Sequence, residues 1–267
     1  MTLAHDIAIA LRDDNPTAAR DIALARVKIA PQDAEARMFL AELSVILGDL
    51  SRAETQARLA ATAVPDATLG IGVFRQHLRA LHARTEWWST GALPTFPNGP
   101  SSLSTLAVRV NVALRDGDGN AAKTALDALE TARGAQPASW DGDFVDDIRD
   151  LDDRLPHAIE ALTGGGHYLW IDFERIAQLE FQPATRPIDG VLRRARVTLH
   201  DGSAADIRVP AIYPAPITAA EQLGRTTDFR DLPGGLTAGQ GQRCWLVGDD
   251  VFGCLDAQTI TFEAQQD

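Results

Sequence analysis

From residue 3 to about residue 132, apolar positions recur every three or four residues, the rhythm of helices with one buried face; from His167 onward the period drops to two, as in half-buried strands. The spacing predicts an opening helix over 3–11, a turn at Asn15-Pro16, further helices up to a loop at 91–100, and a last helical pair at about 102–114 and 120–132. Within 68–88, Ile71, Phe74, Leu78 and Leu81 fall on one helical face. Strands are predicted at 167–171, 177–181, 191–199, 205–209, 242–247, 251–255 and 259–263, several of them rich in β-branched residues. Asp201-Gly202 and Gly248-Asp249-Asp250 are hairpin signals between them. The expected fold class is α+β, with a helical array over 1–137 and a small, mostly antiparallel β domain within 138–267.

The junction between the halves carries seven aspartates from Asp141 to Asp153. Phe144, Ile148 and Leu151 recur at helix-like or turn-like spacing, which puts the aspartates on a solvated side. Asp152 or Asp153 is then expected to cap a helix with Pro156 in its first turn, running to about Leu162 and stopping at Gly164-Gly165-Gly166. Glycines that follow a helix make no phosphate loop, which needs them before a helix N-terminus.

The segment 34–66, AEARMFLAELSVILGDLSRAETQARLAATAVPD, resembles one tetratricopeptide repeat. Leu40-Ala41 gives a large-small pair in the first helix, Gly48-Asp49-Leu50 the turn, Ala53 and Ala60 the small residues of the second helix, and Pro65 the terminator. Pro31 and Ala19 precede Pro65 and Ala53 by 34 residues, the period of that repeat. Beyond Pro65 the pattern loosens, because Arg75 stands where a small residue is wanted. Such an array presents the first helix of each pair on a concave face, and this register places Arg12, Met38, Glu42, Val45, Gln76 and Arg79 there as candidate partner-binding residues. The competing expectation fills the groove with the chain's own loop at 94–100.

Charge changes the picture of the partners. Residues 1–137 hold 14 Lys+Arg against 15 Asp+Glu, whereas 138–267 hold 11 against 22, a net charge of −11. A field of that sign repels nucleic acid and anionic lipid, so neither is an expected partner. No apolar run approaches the roughly 20 residues that span a bilayer, and MTLAHDIAIALRDD lacks the basic start and cleavage site of a secretory signal, so the expected location is the cytoplasm.

Candidate chemistry is sparse. The six histidines show no HExxH or HxH spacing, and no GxSxG, Walker lysine motif or GxGxxG is present, so no catalytic residue, metal ligand or cofactor is expected. Asp116-Gly117-Asp118-Gly119-Asn120 has some of the oxygen spacing of a calcium loop, but Ala121 stands where that loop requires Gly; a turn with Asp118 or Asn120 capping the next helix is the better reading. Gly239-Gln240-Gly241-Gln242-Arg243 reads as a flexible loop entering a strand. Arg193, Arg194 and Arg196 read as partners of the domain's own carboxylates. Trp87 and Trp88 are expected to cover the open end of the array. Cys244 and Cys254 are expected to be free thiols lying opposite one another across the hairpin at Gly248.

Trp140-Asp141-Gly142, the run Arg149-Asp150-Leu151-Asp152-Asp153-Arg154-Leu155, the stretch from Tyr168 to Ile176, Ile212-Tyr213-Pro214 and Gly239-Gln240-Gly241-Gln242-Arg243 together, in that order, resemble the ImpE/TagJ family of type VI secretion accessory proteins. The resemblance implies a non-enzymatic cytoplasmic accessory of a contractile sheath, which binds the N-terminal helix of the small sheath subunit TssB and is linked to sheath recycling by the ClpV ATPase. A repeat adaptor for another helix or peptide, or a hydrolase, are the alternatives. The expected docking face is the concave one above, and the alternative is a face around Trp170, Phe173 and Tyr213.

Overall fold

The computed structural model describes residues 2–64, 68–97 and 99–263. Seven helices come first: α1 (Leu3–Arg12), α2 (Pro16–Ile29), α3 (Ala34–Ile46), α4 (Leu50–Ala63), α5 (Thr68–Thr90), α6 (Ser102–Arg115) and α7 (Gly119–Arg133). Their starts are chemically marked. Thr2, Asn15, Asp33, Asp49, Ser101 and Asp118 each accept a hydrogen bond from a backbone N–H in the first turn of the helix that follows. Asp118 thus caps α7, as expected. Helices α1 to α5 pack in chain order, and the close approach rests on Ala19, Ala23, Ala53, Ala57 and Ala60, all fully buried. Pro65, the expected terminator of α4, lies outside the described residues.

The remainder is β structure, beginning at Ala138. It comprises β1 (Ala138–Trp140), β2 (Asp143–Val145), β3 (Ile148–Asp150), β4 (Ala158–Thr163), β5 (Tyr168–Asp172), β6 (Ile176–Phe181), β7 (Leu192–Leu199), β8 (Ala204–Pro210), β9 (Thr227–Leu232), β10 (Leu236–Gly241), β11 (Cys244–Val247), β12 (Asp250–Gly253) and β13 (Thr259–Phe262), with a short helix α8 (Ala219–Gln222). An eight-stranded antiparallel sheet runs β2-β1-β13-β6-β7-β8-β4-β5, beside a three-stranded sheet β12-β11-β3 and a β9-β10 hairpin.

The junction helix is corrected to strand. Ala158–Thr163 is β4, hydrogen-bonded to β5 on one side and β8 on the other. Its residues Ala, Ile, Glu, Ala and Leu suit a helix, but the segment is buried on both faces: Ala158 and Leu162 meet the helices while Ile159 and Ala161 enter the β core. Tertiary burial overrides propensity in such a central strand. Gly164-Gly165-Gly166 turns β4 into β5, with Gly166 at φ 84°.

Two cores result. The first is continuous across the halves, joining Ile7, Leu40, Leu78 and Trp87 of the helices to Ala158, Leu162, Trp170, Leu192 and Ile212 of the β half. The second lies on the other face of the large sheet, where Ile171, Phe173, Val197 and Val209 meet Trp245 and Val247 of the small one. Trp87 packs edge-on against Trp170 of β5, centroids 4.9 Å apart, so the α5 tryptophans do not cover an open end of the array; they join it to the sheet. The loop at 91–100 lies on the free edge of β5, Thr95 N–H donating to Tyr168 O at 2.9 Å. No helix among the described residues is long and apolar enough to cross a membrane.

Candidate functional site

The boundary between helices α3–α5 and the sheet holds a dense buried polar network and an apolar-walled cleft. At the bottom, the guanidinium of Arg243 bridges two fully buried carboxylates, Asp150 at the end of β3 and Glu160 in the middle of β4. Glu160 receives more. Arg84 of α5 meets it with Nε at 3.0 Å and Nη2 at 2.9 Å, Trp88 Nε1–H donates at 2.9 Å, and Tyr168 Oη–H donates at 2.5 Å while accepting from Trp170 Nε1–H at 2.8 Å. On the other side Tyr213 Oη–H donates to Asp150 Oδ1 at 2.8 Å, and Asp152 holds Arg154 through Nε at 2.8 Å. Arg154 lies over the Trp88 ring.

Burial disfavours the charged form of both acids, and the cations offset it unequally. Arg84 and Arg243 hold Glu160 down to about 2 against its desolvation, whereas desolvation wins at Asp150 and pushes it up to about 6 despite Arg243. Burial, reinforced by the adjacent carboxylates, lifts both Tyr168 and Tyr213 well above 10, so they remain hydrogen-bond donors. The network is closed, with every group turned towards another. It fixes the sheet against α5.

Two expectations fail here. Asp150 and Asp152 are buried rather than solvated, and the Gly239-to-Arg243 segment is not a loop. Residues 236–241 form β10, and a Cβ at Gly239 would sit 2.1 Å from the Tyr213 ring, while Gly241 (φ 77°) would place one 2.1 Å from Thr226 O. These glycines admit Tyr213 and a backbone turn; they do not cradle an anion. The cysteines are free and buried, but the register pairs Cys244 with Gly253, so Cys254 is not its opposite.

Above the network opens a cleft of about 330 Å³, walled by Val45, Leu50, Leu81, Val191, Leu192 and Ile212, with Arg84 and Tyr213 also among its lining residues. A second pocket, about 390 Å³, lies along the same helix and is lined by Met38, Ile71, Phe74 and Glu42. Met38, Glu42 and Val45 thus lie along one stripe of α3 that borders both pockets. Its centre is taken, because Glu42 pairs with Arg186 at 2.8 Å where the 3-10 turn Pro187–Gly190 packs on α3. That turn, rather than the loop at 94–100, covers the groove. Arg12 stands exposed and apart, and Gln76 and Arg79 flank Gly166 in the β4-β5 turn. The alternative face does not form: Trp170, Phe173 and Tyr213 are all buried, in the shared core, against Phe262, and in the ion network respectively. Arg84, Arg186, Val191 and Ile212 were missed as cleft residues, and only the apolar spacing around Val191 and Ile212 hinted at them. Among the described residues no cluster of three or more His, Cys, Asp or Glu is arranged to hold a metal.

The comparisons with known proteins follow this architecture. The chain is 23% identical over 248 residues to the type VI secretion system accessory component TagJ of Pseudomonas aeruginosa, covering 89% of this chain and 84% of that protein. Its fold matches the crystal structure of protein VPA1032 from Vibrio parahaemolyticus with a TM-score of 0.89 at 25% identity, over 97% of this chain and 98% of the other. Residues 142–261, which contain Asp150, Glu160, Tyr168, Tyr213 and Arg243 of the network, match the ImpE protein family.

Proposed function

We propose that this chain is a non-enzymatic cytoplasmic accessory of a type VI secretion system, which binds the N-terminal helix of the small sheath subunit TssB and is thereby linked to ClpV-dependent sheath recycling. The observation that carries the reading is the relationship to TagJ, which spans helices and sheet alike. The cleft supports a helix as ligand. Its rim offers Val45, Leu47, Leu50 and Pro216, and Ile217 next to it is 74% exposed. An amphipathic helix buries its apolar face in such a groove, at about 1.5–3 kcal/mol for each large side chain fully buried.

The test uses the full-length protein and a labelled peptide of the TssB N-terminal helix from the same secretion cluster. Val45→Glu places a charge in the apolar wall and is expected to weaken binding on the order of 10- to 100-fold. Met38→Glu, in the neighbouring pocket, is expected to do less. A wild-type protein that does not bind the peptide removes TssB as partner; binding unchanged by Val45→Glu removes the cleft.

A further inference from the structure

We infer that the pocket between β7, β8 and α5 is a carboxylate-binding site whose ligand is an acidic side chain of a bound protein segment. The pocket encloses about 520 Å³, and Arg194, Arg196, Arg208, Gln182, His77 and Val73 line it together with one carboxylate, Asp206. Three arginines in one recess stand out in a half of the chain with net charge −11.

The β7-β8 register sets Arg194 directly opposite Arg208, and Arg196 opposite Asp206. Directly opposed residues share a face, and like charges there repel. Arg196 is balanced, with Asp206 at 3.3 Å and Glu180 opposite it on β6. Arg194 and Arg208 are less so: they share the buried carboxylate of Asp189, which lies 2.6 Å from Arg208 Nη1 and 3.7 Å from Arg194 Nε, and Glu42, which Arg208 also faces, is already paired with Arg186. Asp189 is also committed to the backbone N–H groups of Thr185 and Arg186. Arg194 Nη2 donates to Pro183 O and Thr185 Oγ1, but its Nε has no hydrogen-bond partner among the described residues. His77 beside these arginines is neutral at pH 7, because burial, with a smaller contribution from Arg208, pushes it down to about 4.

A second carboxylate entering the recess would relieve the opposed pair, since a guanidinium fork takes a carboxylate by two parallel hydrogen bonds. The surroundings favour a peptide over a free ion. Val73 in the wall is 40% exposed, and Leu69, one turn earlier on α5, is 84% exposed. A segment carrying an acid beside an apolar residue uses both surfaces, whereas a small oxyanion uses only the arginines. This deepens the reading of the helix-sheet boundary as a docking site for a protein segment.

The experiment uses the full-length protein with 15N-labelled arginine, titrated at matched ionic strength with acetyl-Leu-Glu-Ala-Leu-amide, with its Gln counterpart, and with inorganic phosphate. The Nε–H signals of Arg194 and Arg208 are expected to move with the Glu peptide, at least fivefold less with the Gln peptide, and Arg194→Gln is expected to weaken the Glu response at least tenfold in a protein whose circular dichroism is unchanged. The His77 ring is expected to titrate higher when the Glu peptide is bound. No response to the Glu peptide, or an equal response to Gln, overturns the site. An equal response to phosphate overturns the peptide assignment. TssB-peptide binding is scored separately, so its loss alone leaves this result standing.

Discussion

Glu42 of α3 and Arg186, 144 residues further along the chain, form a 2.8 Å ion pair in the middle of the face that the repeat register offers to a partner. The guanidinium also lies over the Phe39 ring, centroid distance 4.2 Å. One intramolecular contact thus divides a continuous groove into two pockets, with Met38 beside one and Val45 beside the other.

That pair makes stability depend on pH in an identifiable direction. Burial raises Glu42 from its ordinary 4.5 to about 7, although Arg186 opposes the rise. The folded protein therefore holds this proton more tightly than the unfolded chain, so the Glu42 contribution is fully present below about pH 4.5 and is lost as pH climbs through 7. Glu42→Gln cannot titrate. Its urea-unfolding free energy relative to wild type is expected to be more favourable at about pH 8 than at about pH 5; a difference independent of pH would contradict the assignment.

Arg243 is expected to be the least replaceable residue of the boundary. Arg243→Leu leaves Asp150 and Glu160 facing each other in the core and should cost about 3–5 kcal/mol, the range for breaking a buried pair by removing one partner. Arg243→Lys keeps the charge but not the fork that reaches both acids, so it should recover only part. On the acid side the sign reverses from that of Glu42. Glu160 is held below its ordinary value, so its contribution is present above about pH 4.5 and disappears as pH falls towards 2. Glu160→Gln should lower stability at neutral pH and remove that part of the acid transition, both readable by chemical denaturation.

Gly239→Ala tests why the glycine-rich segment has its composition. The added Cβ would overlap the Tyr213 ring and push its hydroxyl off Asp150, with an expected loss of about 1–3 kcal/mol or more. Gly190→Ala serves as comparison, since its Cβ would meet no atom within 4 Å, and should be close to neutral. Equal melting temperatures for the two variants would refute the packing account.

What the sequence disclosed and what it hid have separate physical causes. Helices were legible because turns at Asn15-Pro16 and Gly48-Asp49, the cap at Asp118 and alanines at the helix contacts are all local signals. Strands β5 to β8 and β11 to β13 carry period-two or β-branched patterns. Strand β4 does not, because a strand buried on both faces loses its alternation, and its Ala, Glu and Leu mimic a helix. The site was half legible. Met38, Glu42 and Val45 do line the boundary, but Arg186 and Asp189 close on that stripe from far along the chain, which no spacing within α3 can show. Asp150 and Asp152 read as solvated and Arg243 as part of a loop, and they are the interior of the joint.

The last expectation concerns that joint as a whole. Reading the two halves as independent folding units would require each to bury its own apolar surface, yet Trp87 on α5 buries against Trp170 on β5 and Trp88 donates to Glu160 on β4. Helical and β signals should therefore be lost in one transition, observable as coincident far-ultraviolet dichroism and tryptophan-fluorescence unfolding curves. Trp170→Ala should shift both curves together by about 3–5 kcal/mol, the usual cost of truncating a buried tryptophan. A protein ending at Pro137 would expose Leu78, Leu81 and Trp87 to water and should melt well below the full chain. If instead it keeps full helicity to the same temperature, and Trp170→Ala shifts only the β signal, the array is its own unit and the shared core contributes contact without cooperativity.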